Sequence, residues 1–356
     1  MGAEREPDLA LLAVGGSAGS LGPLIELVGG LPADLPAAVL VCQHLGEQGP
    51  SRLPQILGRR GVLPSAWAMD GDPLKAGRIY VAPPGHHLLV HAQHVRLSPG
   101  PRVNRHRPSV DVLFASLAQT SGAQVTVVVL SGVLDDGAVG SALVDQAGGQ
   151  VLVQDPEASE FAGMPRAALA ASPRARIIRG ESIGQEVMAA MSVGSTGGGL
   201  SQRAPEPDPE VGMQDEVSPS PGFLLPGETG LTRLACPECG GGLARVDLPQ
   251  ITYFRCHVGH QYGPQSLLAA LGDATEGRLW SAVAALEEQA AAQGYLEAAT
   301  TGGSRSAAPP FSRGSRARDL TDRAAALREH VQRWTATDSE LGARPEDQLS
   351  VSGESS

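Results

Sequence analysis

Short apolar runs alternate with helical patterns through the first half of the chain. Runs of this kind are typical of buried parallel strands. They occur at 9–15, 37–43, 77–82, 124–132 and 150–154. Apolar residues at helical spacing between the runs predict helices over 20–29, 51–58, 108–119 and 137–146.

The segment 86–98 departs from this alternation and reads as two short strands around a turn. It predicts an antiparallel hairpin at the edge of the sheet. Strands that alternate with helices indicate parallel crossover connections. The predicted fold class is therefore α/β, a doubly wound and mainly parallel sheet with helices on both faces and an edge hairpin.

The second half of the chain loses the alternation and becomes rich in Gly, Pro, Ser and acidic residues after position 192. Such a composition buries too little apolar surface to fold alone. Cysteines and histidines, and then Ala/Leu-rich helical patterns, follow. The predicted order is a domain over 1–192, a disordered linker over 193–230, a Cys/His module over 231–263, a helix over 264–299, a linker over 300–318, an amphipathic helix over 319–341 and a disordered tail over 342–356.

Charge separates the same two halves. The 356 residues carry 27 Lys and Arg against 38 Asp and Glu, for a net charge of −11. Residues 1–192 contribute 14 − 17 = −3, and residues 193–356 contribute 13 − 21 = −8. This acidic balance argues against general nucleic-acid binding. No apolar stretch reaches the roughly 20 residues of a membrane span, and the charged N-terminus does not resemble a signal peptide. We therefore expect a cytoplasmic protein without membrane insertion.

Candidate catalytic residues follow three of the predicted strands. Ser17 lies in a G-x-S-x-G turn between the first strand and the first helix, His44 follows the second strand, and Asp136 precedes a glycine after the strand at 124–132. Ligands of open parallel sheets bind beyond the carboxyl ends of the strands. A nucleophile, a base and an orienting carboxylate would thus meet at one edge.

Each of these residues also has a plainer interpretation. A Gly-rich first turn often binds phosphate or is only a tight turn. A histidine at a strand end is usually solvated, and an acidic pair before glycine is most often a turn or a helix cap. A nucleotide-binding protein therefore stays a competing hypothesis.

Six blocks in order resemble the CheB-type chemotaxis protein-glutamate methylesterases over residues 9–192. The blocks are AVGGSAGSLGPL, CQHL, RIYVAPPGHHLLV, RPSVDVLFASLA, LSGVLDDGAVG and QDPEASEFAGMPRAAL. The resemblance implies hydrolysis of γ-glutamyl methyl esters on chemoreceptors, with release of methanol, and often deamidation of glutamine at the same sites. It implies a triad of Ser17, His44 and Asp136 that needs no cofactor. Asp135 stands where the family often has Asn, so it receives no triad role.

Two features depart from the family pattern. The turn reads Ser17-Ala18-Gly19-Ser20, where the family commonly has Gly in the last place, and we expect Ser20 to serve as a helix cap. Well-known members carry a receiver domain before the esterase, whereas about eight residues precede the first strand here. We therefore expect no control by a receiver domain in cis. Backbone N–H groups near Ala18 are the candidate donors to an oxyanion.

Two further segments of the first domain have open interpretations. The segment from Met164 to Arg166 is either a loop at the mouth of the site or the start of a helix, with Pro165 in its first turn. A local basic run, Arg102, Arg105, His106 and Arg107, is either a solvated loop or a docking surface for acidic receptor helices.

The Cys/His module predicts a structural zinc site. Two ligand pairs separated by 16 residues, CPEC and CHVGH, have the spacing of a small zinc ribbon. The predicted ligands are Cys236, Cys239, Cys256 and His260, with His257 as the alternative fourth ligand. The plainer interpretation is a metal-free cluster that only packs. Cys42 is expected to be a buried strand residue.

The module also resembles a tail found on some stand-alone members of the esterase family. The acidic second half would then recruit or restrain the esterase, and its helices would pack or bind partners. The main alternative to an enzyme is a signalling scaffold that binds partners through the zinc module and the C-terminal helices. The oligomeric state and the substrate protein stay open.

Overall fold

The computed structural model describes residues 9–44, 51–120, 124–179, 183–194, 228–300 and 315–341. The predicted disordered linker over 193–230 lies mostly outside these residues, and the predicted tail over 342–356 lies entirely outside them. The described residues up to Leu267 form one compact unit, and the described residues from Leu268 onward form a second.

A seven-stranded sheet, parallel throughout, forms the centre of the first unit. Its strand order is β3-β4-β2-β1-β7-β8-β9. Strands β2, β4 and β3 lie on one side of β1, and the later strands β7, β8 and β9 lie on its other side. The boundary between β1 and β7 is therefore the switch point where such folds place their sites. The strands are β1 (Ala10–Gly16), β2 (Ala37–Gln43), β3 (Ser65–Trp67), β4 (Arg78–Val81), β7 (Val125–Val129), β8 (Gln150–Gln154) and β9 (Arg176–Ile178).

Helices cover both faces of the sheet, as the sequence predicts. Alternate residues of β1 enter different cores: Leu12 and Val14 pack toward α1, α2 and α6, while Leu11 and Ala13 pack toward α3, α4 and α5. The helices are α1 (Leu21–Gly29), α2 (Leu53–Arg60), α3 (Val110–Ala118), α4 (Ala138–Gln146), α5 (Gly163–Ala171) and α6 (Ile183–Gly194). The predicted doubly wound α/β fold is confirmed.

The predicted hairpin is present, but it does not extend the edge of the main sheet. Strands β5 (His87–His91) and β6 (His94–Ser98) form a separate two-stranded sheet. The pair lies against α3, where the Val90 N–H donates to Ser116 Oγ at 3.1 Å. Its apolar residues Leu88, Val90 and Val95 are buried on that helix side of the core, which explains its place over a face instead of at an edge.

The Cys/His module is a four-stranded antiparallel sheet inside the first compact unit. Its strands, in spatial order, are β10 (Glu228–Ala235), β11 (Gly242–Asp247), β12 (Thr252–Cys256) and β13 (Gln261–Tyr262). β10 begins at Glu228, inside the predicted linker, because Glu228 and Thr229 pair with Asp247 and Val246 of β11.

The module packs on the outer side of α3 and α4. Val246 and Tyr253 are completely buried in one apolar cluster with Val112 of α3 and with Val139 of α4. The sequence treats the module as a domain separate from 1–192. The structure differs because α3 and α4 are apolar on the side that faces away from the main sheet.

Two long helices make up most of the remaining described chain. α7 (Pro264–Thr300) crosses the boundary between the units, and α8 (Ser315–Leu341) begins four residues before the predicted 319. Arg and Ala, both good helix formers, occupy 316–318 and explain the earlier start. Buried residues repeat every seven positions (Ala317, Ala324 and Val331), and Arg328 pairs with Glu287. None of the described helices is long and apolar enough to cross a membrane.

Candidate active site

Three neighbouring strands bring the sequence-predicted residues to one edge of the sheet. β1 pairs with β2 on one side and with β7 on the other. Ser17 directly follows β1, His44 directly follows β2, and Asp136 lies in the loop between β7 and α4. Parallel strands place their carboxyl ends on the same side, so the three side chains meet there.

The His44 imidazole lies between the other two side chains. Its Nδ1 is 3.1 Å from Ser17 Oγ, and its Nε2 is 2.7 Å from Asp136 Oδ2. A carboxylate only accepts hydrogen bonds, so Nε2 carries the proton and Nδ1 is free to accept from the serine hydroxyl. His44 is 9% exposed and Asp136 is 2% exposed, so the pair is shielded while Ser17 is partly exposed.

The Asp136 carboxylate accepts six hydrogen bonds. Burial alone would raise its pKa, but the bonds from His44 and Asn104 outweigh burial and hold the pKa well below its usual value. The carboxylate also lies at the N-terminus of α3, where helix N–H groups stabilise negative charge. The donors are His44 Nε2 (2.7 Å) and the Val110 N–H (2.7 Å) to Oδ2, with Asn104 Nδ2 (2.9 Å), Ser109 Oγ (2.8 Å) and the N–H groups of Asp111 (3.1 Å) and Gly137 (3.1 Å) to Oδ1.

A second carboxyl group, Asp111, is completely buried beside Asp136. Burial, and then the charge of Asp136, raises the pKa of Asp111 well above its usual value. Asp111 accepts from Asn104 Nδ2 at 2.7 Å and from the Gly140 N–H at 2.7 Å. The pKa values of the two neighbouring carboxyl groups are therefore shifted in opposite directions, and Asp136 is the one that stays ionised.

The turn that carries Ser17 is held from β2. Gln43 Nε2 donates to the Ser17 carbonyl oxygen at 2.9 Å, and the Ser20 hydroxyl lies 2.7 Å from Gln43 Oε1. Ser20 is the N-cap residue of α1, as the sequence predicts, but its hydroxyl bonds Gln43 and the Ser17 carbonyl oxygen instead of a helix N–H. Gly19 has a φ of +72°, which favours glycine, and a Cβ there would lie 2.7 Å from Ser131 Oγ.

His106 is a site residue that sequence reasoning assigned to a basic loop. Its ring stacks on the His44 ring with centroids 3.7 Å apart and planes 16° apart. Burial, followed by the charge of His44, lowers the pKa of His106 well below its usual value, so the stacked ring is neutral. In the same loop Arg107 Nη1 donates to the carbonyls of Pro99 (2.9 Å) and Gly100 (2.8 Å). Two members of the predicted basic run therefore have structural contacts of their own.

The helix or strand that holds each of the remaining first-domain candidates decides between its interpretations. Pro165 lies in the first turn of α5, so the helix-start interpretation holds, and Met164 is completely buried. A Cβ on Gly132 would lie 2.1 Å from Met164 Sδ and 3.0 Å from Ser17 Cβ, so both side chains lie close to this glycine and leave no room for a larger residue. Cys42 is buried in β2, and burial raises the pKa of its thiol.

The backbone of the turn limits the choice of oxyanion donor. The Ser17 N–H donates to the Ser131 carbonyl oxygen at 3.0 Å and is therefore occupied. Ser131 Oγ in turn donates to the Ala18 carbonyl oxygen at 2.8 Å, which fixes the orientation of the next peptide unit. The Ser20 N–H is also occupied, because it donates to the Ser17 carbonyl oxygen at 3.2 Å, so the N–H groups of Ala18 and Gly19 are the candidates.

Four donor atoms of the Cys/His module lie together. One donor atom each from Cys236, Cys239, Cys256 and His260 falls within 4.8 Å of all the others. Cys239 Sγ and Cys256 Sγ are 3.7 Å apart, and Cys256 Sγ is 3.5 Å from His260 Nδ1. Thiolate and imidazole donors in this number fit a tetrahedral zinc ion. The His257 ring lies against Gly241, where an added Cβ would meet it at 2.3 Å.

Neighbouring side chains orient these donors. His260 Nε2 is 3.1 Å from Glu238 Oε2, which directs Nδ1 toward the cluster. The Tyr262 hydroxyl donates to Glu238 Oε1 at 3.2 Å and lies 3.5 Å from Cys236 Sγ. A carboxylate behind a ligand histidine is the usual outer partner in zinc sites.

Comparisons with known proteins support the resemblance predicted from the sequence. Residues 12–187 match the CheB methylesterase family. A protein-glutamate methylesterase/protein-glutamine glutaminase of Rhizobium johnstonii is 36% identical over 182 residues, which are 50% of this chain and 50% of that protein. A protein of the same name from Hahella chejuensis is 40% identical over 163 residues, 45% of each chain.

One of the similar solved structures is a catalytic domain. The CheB methylesterase catalytic domain of Thermotoga maritima is 26% identical, and the alignment covers 51% of this chain and 98% of that one with a TM-score of 0.48. The chain spans about half the length of the curated relatives named above.

Proposed function

We propose, from the CheB methylesterase match of residues 12–187, that this protein hydrolyses γ-methyl esters of glutamyl residues on chemoreceptors. The observation that carries the proposal is the Ser17–His44–Asp136 arrangement, with contacts of 3.1 Å and 2.7 Å. The names of the relatives add deamidation of protein glutamine as a second reaction of the same kind.

In the proposed reaction Ser17 attacks the ester carbonyl. His44 Nδ1 takes the proton from Ser17 Oγ as the C–O bond forms, and the resulting imidazolium is paired with Asp136 through Nε2. Collapse of the tetrahedral intermediate releases methanol, which receives the proton from Nδ1. Water then attacks the acyl-serine with His44 again as the base, and the products are glutamate and free Ser17.

Asp136 keeps the base in its working tautomer. Because Asp136 accepts from Nε2–H, Nδ1 is available to the serine. Its own charge is held by the N-terminus of α3 and by Asn104 and Ser109. This carboxylate therefore stabilises the imidazolium without taking its proton. The neutral His106 ring supports the face of His44.

Release of methanol from a tritium-methylated chemoreceptor tests the proposed function. The wild-type protein is expected to release labelled methanol in proportion to the enzyme added. A protein that only bound receptor as a scaffold would leave the label in place. Absence of release under conditions in which the receptor binds the protein would reject the enzyme and favour the scaffold. A cytoplasmic location, expected from the sequence, belongs to the same proposal.

We also propose that Cys236, Cys239, Cys256 and His260 hold a structural zinc ion. The shared 4.8 Å neighbourhood and the Glu238 contact behind His260 support this ligand set. A bound ion would hold together a sheet too small to build a core of its own. It has no part in the ester chemistry.

The zinc proposal gives a direct prediction on metal content. We expect about one zinc ion per chain in the wild type, from a single four-ligand site. The Cys239→Ser variant removes one thiolate and should lower this content severalfold, as measured by elemental analysis after dialysis. Cys42→Ala is the matched control, because Cys42 is buried in β2 away from the cluster. Equal zinc in Cys239→Ser and wild type would refute the ligand set.

A further inference from the structure

One side chain touches both the Asp136 carboxylate and the Cys/His module. Asn104 is 1% exposed, and its Nδ2 donates to Asp136 Oδ1 at 2.9 Å. Its Oδ1 accepts from the Gly263 N–H at 2.7 Å, and its own N–H donates to the Gln261 carbonyl at 2.8 Å. Both ends of this amide are therefore fixed, one by the active site and one by the module.

The residue next to Asp136 makes a second connection. Asp135 is 3% exposed and accepts from the N–H groups of Gln265 (2.8 Å) and Ser266 (3.1 Å), and from the Ser266 hydroxyl. These N–H groups belong to the first turn of α7, where helices lack internal acceptors. A carboxylate supplied from the β7–α4 loop fills that need. The loop that carries Asp136 is thus tied to the chain that leaves the module.

Apolar packing supports these polar contacts. The buried side chains Val246 and Tyr253 of the module pack against the outer side of α3 and α4. The N-terminus of α3 supplies the Val110 N–H to Asp136 Oδ2 at 2.7 Å. The module therefore contacts the helix, the asparagine and the loop that together hold the carboxylate.

We infer that Asn104 is a positioning residue through which the Cys/His module orients Asp136, so that residues 231–266 are a working part of the esterase. The inference rests on the proposed function. It assigns the module a role in catalysis by a route that involves no contact with substrate. Asp135 acts with Asn104 by fixing the loop on its other side.

Gly263 offers a substitution that disturbs this connection from the module side. A Cβ at position 263 would lie 2.4 Å from Asp135 Oδ2 and 2.6 Å from Asp135 Cγ. Gly263→Ala therefore separates the Asp135 loop from the backbone N–H of residue 263, which is the group that holds Asn104. Gly242→Ala is the matched control in the same module, because a Cβ there meets nothing within 4 Å.

Two measurements on the full chain follow the effect. With tritium-methylated receptor, Gly263→Ala should lower kcat on the order of 10- to 100-fold, the scale of small misplacements of catalytic groups, with little change in KM. By proton NMR, the downfield resonance of the His44 Nε2–H bonded to Asp136 should shift or broaden. Gly242→Ala should leave both unchanged.

The outcomes separate the inference from the proposed function. A folded Gly263→Ala protein with wild-type kcat and an unchanged resonance overturns the inference, although methanol release by the wild type still supports the esterase. If the wild type releases no methanol, the proposed function fails and the catalytic role of the module fails with it, while the resonance still decides whether the module orients Asp136. If Gly263→Ala does not fold, Asn104→Asp takes its place. That variant keeps the oxygen facing Gly263 and replaces the donor facing Asp136, and wild-type values for it would overturn the inference.

Discussion

Ester hydrolysis is expected to fall about 10⁶-fold when Ser17 is replaced by alanine, the scale on which loss of the nucleophile acts in serine hydrolases. In the proposed reaction the hydroxyl 3.1 Å from His44 Nδ1 forms the acyl intermediate, and alanine offers no replacement. The remaining donors keep a small residual acceleration over water. Loss of the methyl group from a receptor peptide, followed by mass spectrometry, measures the rate.

Ser192→Ala is the matched control for this prediction. Ser192 is exposed on α6, and its hydroxyl donates only within its own helix, to the Met188 carbonyl at 3.0 Å. The rate of ester hydrolysis by the Ser192→Ala variant should equal that of the wild type. A Ser17→Ala rate within tenfold of the control would remove Ser17 from the mechanism.

Replacing Asp136 with asparagine should lower kcat about 10⁴-fold with the fold retained. An amide at this place can present NH₂ to His44, which then turns its proton toward Ser17 and loses its function as a base. Asparagine also brings two donor hydrogens into a pocket lined by the N–H groups of Val110 and Asp111. We therefore expect a lower free energy of unfolding as well, from unmatched buried donors.

Asp70→Asn controls for the loss of one acidic charge. Asp70 is exposed and lies beside Arg96 at 3.8 Å, in the hairpin region. The kcat of the Asp70→Asn variant should match that of the wild type. Steady-state kinetics and urea unfolding of both variants make the comparison, and an Asp136→Asn protein with at least half the wild-type kcat would contradict the assigned role.

The sequence predicts the triad because its members follow local patterns. Ser17, His44 and Asp136 each come just after an apolar run, and parallel strands necessarily gather such positions at one edge. The three residues meet only if their strands are neighbours, a condition that the pairing of β1 with β2 and with β7 fulfils. The six sequence blocks, in their order, add the resemblance to the CheB-type esterases.

The support around Asp136 was not predictable in the same way. Asn104 lies in an irregular loop with a φ of +51°, and its partner Gly263 is 159 residues away along the chain. No periodic pattern marks such a contact. The arginines beside His106 likewise indicate a basic loop, whereas the position of its ring is set by stacking on His44.

One signal for the docked module was present in α3. The segment 110–117 is buried on every side, and a helix that is apolar all round must be covered on both faces. The main sheet and the hairpin cover part of this helix, and the Cys/His module covers the side that faces away from the main sheet. The apolar character of this helix predicts a second covering layer, but not which part of the chain supplies it.

A single-turnover reaction with hydroxylamine distinguishes a covalent step at Ser17 from direct attack on the ester. With enzyme in excess over tritium-methylated receptor, methanol release reports acylation alone. We predict that hydroxylamine diverts product from glutamate to glutamyl hydroxamate without changing the rate of methanol release, because it attacks only the acyl-serine. A methanol rate that rises in proportion to hydroxylamine would mean direct attack on the ester and would exclude the acyl-serine intermediate.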